Sequence, residues 1–485
     1  MQVDKDLLSI QEARDLAARA YEAQLIWGKA SQEQVDRVCE AMAEAGYQAA
    51  DRLGRMANEE TGFGIAAHKK LKNELASRIL WESIRDVKTV GVINHDAEKR
   101  VYEIAWPMGV VAALTPSTNP TSTVMAKAIS AVKARDAIVL APHPSAVNCS
   151  FEAARTLQQA AENAGAPAGL VNCMRTISLA GTQELMTHKR IRVILATGGG
   201  GMVKAAHSVG KPAFGVGPGN VPAYVDRSAD LEKAARYIVS SKSFDYSLIC
   251  ASEQAVVADK PIAARLAQLM EANGAYFADE KTAAILRHLL FNPDGTMNVA
   301  TVGKSPQFLA QLGGFEIPAE ARIIVVRLNR VGAEEPLSRE KLTTVLGWYE
   351  EEGWEKGCER CIELIHFGGR GHSLVLHATD QDVIMAFGLE KPVFRILVNT
   401  MSTLGAVGLT TGVMPSLTLG AGGEGGSVTG DNITVHHLFN IKRLAYEITP
   451  PPDAAMVGSA KSVAPTQQEL ESIVKQVMLE VLAQN

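Results

Sequence analysis

Short apolar runs alternate with helix-like segments between residues 109 and 201, and this alternation restricts the fold more than any other feature. Four runs of strand length are present, at 109–115, 137–142, 170–173 and 192–198. Helix candidates at 120–134 and 145–164 separate the first three runs. Parallel strands need such crossover helices, and ligands of the resulting sheets bind beyond the carboxyl ends of the strands. The pattern therefore predicts an α/β fold.

Composition narrows the class of protein. The 485 residues are enough for two to three domains, and the net charge of −5 argues against a nucleic-acid surface. Six cysteines in so long a chain do not form a disulfide framework, which predicts a reducing cytoplasm. No apolar run approaches the roughly 18 residues of a membrane span, and the polar N-terminus does not match a secretion signal. We therefore expect neither nucleic acid nor membrane as a partner.

Cys250 is the thiol whose surroundings suit a nucleophile. A predicted helix at 229–242 and polar residues precede it, and the strand-like run 255–258 follows. The other cysteines have patterns typical of buried small hydrophobes or of a solvated helix turn, namely Cys39, Cys149, Cys173 and the pair Cys358 and Cys361. One C-x-x-C pair is a weak zinc signal, even with His366 and His372 nearby, so no metal site is predicted.

Three loops after predicted strands carry further candidate residues, each with a plainer alternative. The turn Thr197-Gly198-Gly199 opens a helix, where free backbone N–H groups can bind a phosphate, but it is also a common tight turn. Asn119 carries the only amide side chain in 115–121 and can donate to a developing alkoxide, or can simply occupy an X-Pro turn. His143 stands between two prolines and is a candidate for contact with a ligand, or can simply be a histidine of a turn.

The segments around Cys250 and at 115–121 together resemble the CoA-acylating aldehyde dehydrogenases, and the resemblance runs from about residue 10 to 448. It implies that Cys250 attacks an aldehyde carbonyl, with Asn119 and the Cys250 backbone N–H as the oxyanion hole. Hydrolytic relatives carry a general-base Glu in a Glu-Leu-Gly-Gly motif, whereas the corresponding stretch 214–220 here contains no carboxylate. The acyl group is therefore expected to pass to coenzyme A.

The resemblance also implies NAD as cofactor, in preference to NADP, and a small aliphatic aldehyde as substrate, with propionaldehyde ahead of acetaldehyde. Glu335 resembles the Glu that holds the nicotinamide ribose, and His372 resembles a Gly-x-Gly-His histidine that assists the thiol or coenzyme A. The alternatives are an exposed acidic loop and a loop histidine. The cofactor-binding residues so implied are Thr115, Pro116, Ser117, Pro142, His143, Thr197, Gly198, Gly199, Gly217 and Glu335.

The domain plan follows from the same resemblance. We expect a Rossmann-like cofactor domain at 1–228 and an α/β catalytic domain at 229–415. Segment 420–449 returns to the first domain or pairs with a neighbour, and flap strands near 90–105 and 432–447 mediate homo-oligomerisation as a dimer or tetramer. The alternative is a non-catalytic binding or structural protein on the same fold.

The C-terminal tail is a separate feature. A Pro-, Ala- and Ser-rich linker at 450–465 precedes an apolar stripe at helical spacing, formed by Leu470, Ile473, Val474, Val477, Met478, Val481 and Leu482. Thr466 and Glu469 fit a capping box. The tail resembles the encapsulation helices of microcompartment enzymes, which predicts a helix at 466–485 that binds a shell protein inside a bacterial microcompartment. The alternative is a helix that packs on the enzyme itself.

Overall fold

A computed structural model of the chain describes residues 4–449, 466–472 and 475–476. The chain divides into two compact units, one made of Met1–Ile93 with Ile104–Lys442 and the other of Asn94–Glu103 with Arg443–Asn485. Within the described residues, every helix is too short or too polar to cross a membrane.

Fifteen strands and sixteen α-helices lie within residues 4–449. The strands are β1 (Gly91–Asp96), β2 (Val101–Pro107), β3 (Val110–Thr115), β4 (Ala137–Pro142), β5 (Val171–Cys173), β6 (Ile191–Thr197), β7 (Ala213–Val216), β8 (Val221–Val225), β9 (Glu253–Asp259), β10 (Ala275–Phe277), β11 (Ile323–Arg327), β12 (Val345–Glu351), β13 (Leu374–His377), β14 (Ile396–Val398) and β15 (Phe439–Ala445). The helices are α1 (Lys5–Trp27), α2 (Gln32–Gln48), α3 (Ala50–Thr61), α4 (Ala66–Glu74), α5 (Leu80–Ile84), α6 (Pro120–Lys133), α7 (Val147–Asn163), α8 (Leu179–Thr187), α9 (Gly200–His207), α10 (Leu231–Ser243), α11 (Lys260–Ala272), α12 (Glu280–Leu290), α13 (Pro306–Gly313), α14 (Gly353–Gly368), α15 (Gln381–Glu390) and α16 (Ser402–Ala406).

The first large sheet confirms the predicted α/β alternation. Its five strands are all parallel, in the order β5-β4-β3-β6-β7, and α6 and α7 occupy the predicted crossovers. β3 and β4 are buried along their whole length because helices cover both faces, as continuous apolar runs require. Ile433, Val435 and Leu438 are buried in the same core. The expected return of segment 420–449 to the first domain or to a neighbour stays a prediction.

The second large sheet has seven parallel strands in the order β10-β11-β12-β9-β8-β13-β14. β8 pairs with β9 and β13, although it precedes the domain boundary expected at 228. The change of sheet therefore falls at 217–220. The reason is that the Gly- and Pro-rich stretch before β8 makes the crossover, whereas the polar turn after β8 only leads into α10.

A small third sheet has the order β1-β2-β15, close to the flap strands expected near 90–105 and 432–447. β15 begins later than expected because Val435–His437 form a 3₁₀ turn. Within the smaller unit, the backbone N–H of Tyr446 donates to the carbonyl of Arg100 at 3.1 Å, and Arg443 pairs with Glu103 at 3.1 Å. Whether this sheet mediates oligomerisation stays a prediction.

The tail is described only at its beginning. Residues 467–472 are helical, and the Thr466 N–H donates to the Glu469 carboxylate at 2.8 Å while the Glu469 N–H donates to the Thr466 hydroxyl at 3.4 Å. This is the predicted capping box. Leu470, the first residue of the apolar stripe, is exposed. The linker 450–465 and the other stripe residues, from Ile473 to Leu482, lie outside the described residues.

Candidate active site

One cavity of about 840 Å³ brings most of the predicted site residues together. It lies beyond the carboxyl ends of β3, β4, β6 and β7, where parallel sheets bind ligands. The predicted residues that line it are Thr115, Pro116, Ser117, Asn119, Pro142, His143, Thr197, Gly198, Gly199, Gly217 and Cys250. His372 and Glu335 are not among the lining residues. The cavity walls are mainly apolar, so a few polar groups must orient any ligand.

The glycine turn before α9 suits a phosphate-bearing cofactor. Gly199 is the N-cap of α9 and gives the helix no side-chain cap, so the first N–H groups are free for a ligand. A Cβ placed on Gly199, Gly200 or Gly201 would meet no atom within 4 Å. These glycines therefore do not serve packing within the chain. They leave the open space and the backbone donors that a dinucleotide pyrophosphate requires.

Cys250 differs from the other five cysteines in being partly exposed, whereas those five are buried. Cys358 and Cys361 lie on the buried face of α14, so the expectation of a solvated turn for this pair was wrong. The reason is that two cysteines three positions apart share one helix face, here the face against the second sheet. No group of His, Cys, Asp and Glu in the described part of the chain could hold a metal ion.

The Cys250 thiol is protonated at rest. Burial raises its pKa to about 12, and the nearby Glu340 carboxylate adds to the rise. The charges of Arg395 and Lys72 oppose this effect. To act as a nucleophile, a thiol with this raised pKa would have to lose its proton as it reacts, since a thiolate is the attacking species in such reactions.

An unusual backbone segment precedes the thiol. Asp245, Tyr246 and Ser247 have φ values of 48°, 51° and 69°, in the left-handed region that non-glycine residues rarely adopt. Each such residue costs about 1–3 kcal/mol unless its surroundings impose the conformation. Here the surroundings do so through Asp245, whose carboxylate accepts a hydrogen bond from the Ile65 N–H at 2.6 Å.

Two buried lysines complete the anchor of Asp245. Lys69 pairs with its carboxylate at 3.2 Å, and Lys72 pairs with the same carboxylate oxygen. The Asp245 backbone N–H donates to Nδ1 of His68 at 2.8 Å. The loop before Cys250 is thus fixed to the helical segment that contains α4. The sequence analysis did not find Lys69, Lys72 or Asp245, because they meet only through contacts about 170 to 180 residues apart in the chain.

His372 lies behind the cavity wall rather than in it. A Cβ on Gly219 would clash with the Cys250 carbonyl oxygen and come within 3.1 Å of the His372 ring, so the ring lies close to the Cys250 backbone. Burial, with a smaller effect of Arg395, lowers the pKa of His372 to about 3. The assistance to the thiol or to coenzyme A that the sequence predicts for His372 stays a prediction.

Glu335 is likewise engaged elsewhere. Its buried carboxylate pairs with Arg287 at 2.9 Å and accepts from the Leu337 N–H, so its predicted contact with a nicotinamide ribose is corrected. Glu340, five residues later, lines the cavity and accepts from the Gly219 N–H at 2.9 Å. Burial raises the pKa of Glu340 to about 7. The sequence does not indicate whether Glu335 or Glu340 enters the cavity, because both residues precede the same strand, β12.

The chain resembles proteins of one family along most of its length. The model of the "Aldehyde dehydrogenase family" matches residues 6–276. An acetylating aldehyde dehydrogenase from Geobacillus thermoglucosidasius is 49% identical, with a TM-score of 0.91 and coverage of 93% of this chain and 99% of that one. The chain spans about half the length of the curated aldehyde-alcohol dehydrogenases that it matches, such as that of Entamoeba histolytica, at 39% identity over 92% of this chain and 52% of that protein.

Two further structures are propionaldehyde dehydrogenases, each 28% identical with a TM-score of 0.82 over 90% of this chain. One, from the fucose utilisation microcompartment of Clostridium phytofermentans, is covered over 97% of its length. The other, from Rhodopseudomonas palustris with bound propionyl-CoA, is covered over 94%. The family match and these relatives agree with the cavity and its thiol. The chain therefore belongs to the aldehyde dehydrogenase family, in its acylating branch.

Proposed function

We propose that this protein oxidises a small aliphatic aldehyde to the acyl-CoA, with NAD as the electron acceptor. The observation that carries the proposal is the placement of Cys250 in one cavity with Asn119 and the uncapped glycine turn. A nucleophile, an oxyanion donor and a phosphate-binding turn in one cavity are the parts that this chemistry needs.

The reaction begins with attack on the aldehyde. The Cys250 sulfur forms a C–S bond with the carbonyl carbon, and the thiol proton leaves to a base or to water. The carbonyl oxygen becomes an oxyanion, which the Asn119 amide nitrogen and the Cys250 backbone N–H stabilise. A nicotinamide held over the thiol would supply the acceptor for the hydride that leaves this carbon. Cys250 then carries the acyl group as a thioester.

Transfer to coenzyme A completes the turnover. The CoA sulfur attacks the thioester carbonyl, and the Cys250 sulfur leaves. Stretch 214–220 carries no carboxylate to activate water, as the sequence analysis noted. Glu340 does line the cavity, however, which raises hydrolysis to the free acid as a second candidate outcome. Transfer to CoA and hydrolysis differ in their products. We expect NADH formation to require CoA and to yield an equal amount of acyl-CoA. Free acid formed at full rate without CoA would establish hydrolysis.

The aldehyde is proposed to have two or three carbons. The sequence analysis favoured propionaldehyde, but the relative at 49% identity is called acetylating, and the two propionaldehyde dehydrogenases are at 28%. We therefore place acetaldehyde level with propionaldehyde. One methylene contributes about 1–3 kcal/mol of discrimination, so kcat/KM values for the C2, C3 and C4 aldehydes separate these substrates.

Glu340 is proposed to take the role first given to Glu335, holding the nicotinamide ribose through its carboxylate. Because its raised pKa is about 7, the group is neutral below that pH and charged above it. A charged carboxylate accepts ribose hydroxyl donors more strongly, so the KM for NAD should fall as pH rises from 6 to 8. Glu340→Gln should raise this KM about tenfold and abolish its pH dependence.

The matched control is Glu334→Gln. Glu334 is exposed and pairs with Arg330 outside the cavity. The KM for NAD of the Glu334→Gln variant should therefore equal that of the unaltered protein at each pH. A KM for NAD that stays flat with pH in the unaltered protein, or is unchanged in Glu340→Gln, would remove Glu340 from cofactor binding.

The tail is proposed to target the enzyme to a microcompartment shell in the cytoplasm, and the small third sheet to join subunits into a homo-oligomer. The linker 450–465, which separates the tail from the rest of the chain, and the apolar stripe support targeting to the shell. The exposure of Leu470 agrees with this role. Residues 450–485 fused to a fluorescent protein should form foci when shell proteins are co-expressed. Diffuse fluorescence, together with an altered oligomer size after deletion of the tail, would indicate a helix that packs on the enzyme.

A further inference from the structure

Lys72 connects the two loops that carry the proposed catalytic groups. Its buried ammonium donates to Oδ1 of Asn119 at 2.6 Å, to the Leu248 carbonyl oxygen at 3.2 Å, and to the Asp245 carboxylate. The first contact is in the loop after β3, and the other two are in the loop that leads to Cys250. Three donors thus meet three acceptors, which is the full capacity of an ammonium group.

This arrangement determines which end of the Asn119 amide faces the cavity. An ammonium group can only donate, so it selects the amide oxygen and excludes the flipped orientation, in which two donors would face each other. The Asn119 nitrogen is left on the other side. It donates to the Thr118 hydroxyl at 3.2 Å, and an amide nitrogen carries a second N–H. That N–H is available to an oxyanion, since Asn119 lines the same cavity as Cys250.

The neighbouring Lys69 does not have this contact. It shares the Asp245 carboxylate and donates to the Thr118 carbonyl at 3.1 Å, but it does not bond to Asn119. Both ammonium groups are almost fully buried, with side chains 3% exposed. Both lysines neutralise Asp245, but only Lys72 orients the Asn119 amide. A comparison of variants at the two lysines therefore distinguishes these two effects.

We propose that Lys72 is a positioning residue for the oxyanion hole, which holds the Asn119 amide oxygen so that the amide nitrogen donates into the cavity. This inference rests on the proposed function, because it assumes that Asn119 stabilises an oxyanion formed on an aldehyde at Cys250. It adds a residue outside the cavity lining, whose effect on catalysis passes through Asn119.

The test is a double-mutant cycle with Lys72→Met and Asn119→Ala, in full-length protein with aldehyde, NAD and CoA. Loss of one oxyanion donor lowers kcat by about 100- to 1,000-fold, so Asn119→Ala should fall in that range. Lys72→Met should lower kcat by about 10- to 100-fold through the misplaced amide. The double variant should be no slower than Asn119→Ala alone, because Lys72 has nothing left to orient. KM for NAD should not change.

Lys69→Met is the matched control. It removes an equally buried charge from the same carboxylate, so its thermal unfolding midpoint should fall like that of Lys72→Met, while its kcat should fall at least tenfold less. Asn119→Asp is a second probe that does not depend on the folding of Lys72→Met. It keeps an oxygen for Lys72 and loses the N–H donor, so it should unfold at the same temperature as the unaltered protein or higher, yet lose kcat as Asn119→Ala does.

Three results would overturn the proposal. Additive losses of kcat in the double variant would mean that Lys72 acts independently of Asn119, for example on the thiol. A parallel fall in the rate at which iodoacetamide alkylates Cys250 in Lys72→Met would identify an effect on the thiol. Equal kcat losses in the two lysine variants would indicate a purely structural role. Full activity of Asn119→Asp would exclude the amide donor. Failure of the proposed function is distinguishable, because the unaltered protein would then form no acyl-CoA.

Discussion

Cys250→Ala should lower the rate of acyl-CoA formation by about 10⁴-fold or more, because loss of a covalent nucleophile removes the intermediate on which both half-reactions depend. The fold should persist, since the thiol is partly exposed. The measurement is NADH formation at saturating aldehyde and CoA, together with the thermal unfolding midpoint.

Cys361→Ala is the control for this variant. Cys361 is fully buried in α14, away from the cavity lining, so its replacement should lower the unfolding midpoint by a few degrees and leave kcat within about twofold. If Cys250→Ala retained more than a few per cent of the activity, the covalent mechanism would be wrong.

Asp245→Asn should cause the largest loss of stability among the single substitutions considered. The amide cannot neutralise Lys69 and Lys72, whose side chains are 3% exposed, and unpaired buried charges cost about 3–5 kcal/mol. An amide keeps only one acceptor oxygen for the Ile65 N–H and the two lysines, so the three left-handed residues before Cys250 would also lose part of the anchor that holds them in place. We therefore expect both a lower unfolding midpoint and a loss of acylation activity well beyond that of Lys69→Met.

Asp259→Asn provides the comparison for Asp245→Asn. Asp259 is equally buried and also ion-paired, but its partner Arg227 is 54% exposed, so water can solvate the guanidinium when the carboxylate is removed. Its variant should be clearly more stable than Asp245→Asn, and its activity should be retained. Equal midpoints for the two variants would show that the buried lysines do not depend on Asp245.

The parts of the molecule that could be predicted from the sequence are those determined by local patterns. Continuous apolar runs identified β3 and β4, and the family resemblance of the segment around Cys250 distinguished this thiol, the partly exposed one, from the other five cysteines. The glycine turn at 197–201 was predicted because an uncapped helix start after a strand is itself a local feature. The cavity loops after β3, β4 and β6 lie together because the carboxyl ends of these parallel strands share one edge of the sheet.

The residues that could not be predicted depend on distant contacts. Lys72 and Asp245 form a buried ion pair although they are 173 positions apart in the chain. The sequence around either residue does not indicate which residue is its partner. Glu340 enters the cavity while Glu335 turns to Arg287, a choice made by the path of a loop. His372 is buried, which its glycine-rich surroundings in the sequence did not indicate.

The central claim is that an acyl group rests on Cys250 until coenzyme A removes it. Intact-protein mass spectrometry after mixing with acetaldehyde or propionaldehyde and NAD, without CoA, tests this most directly. We expect a mass increase of one acyl group, located by peptide mapping on Cys250, that persists for minutes in water and disappears when CoA is added, with acyl-CoA formed in equal amount. An adduct that discharges to free acid before CoA is added, or one located on another residue, would contradict the account.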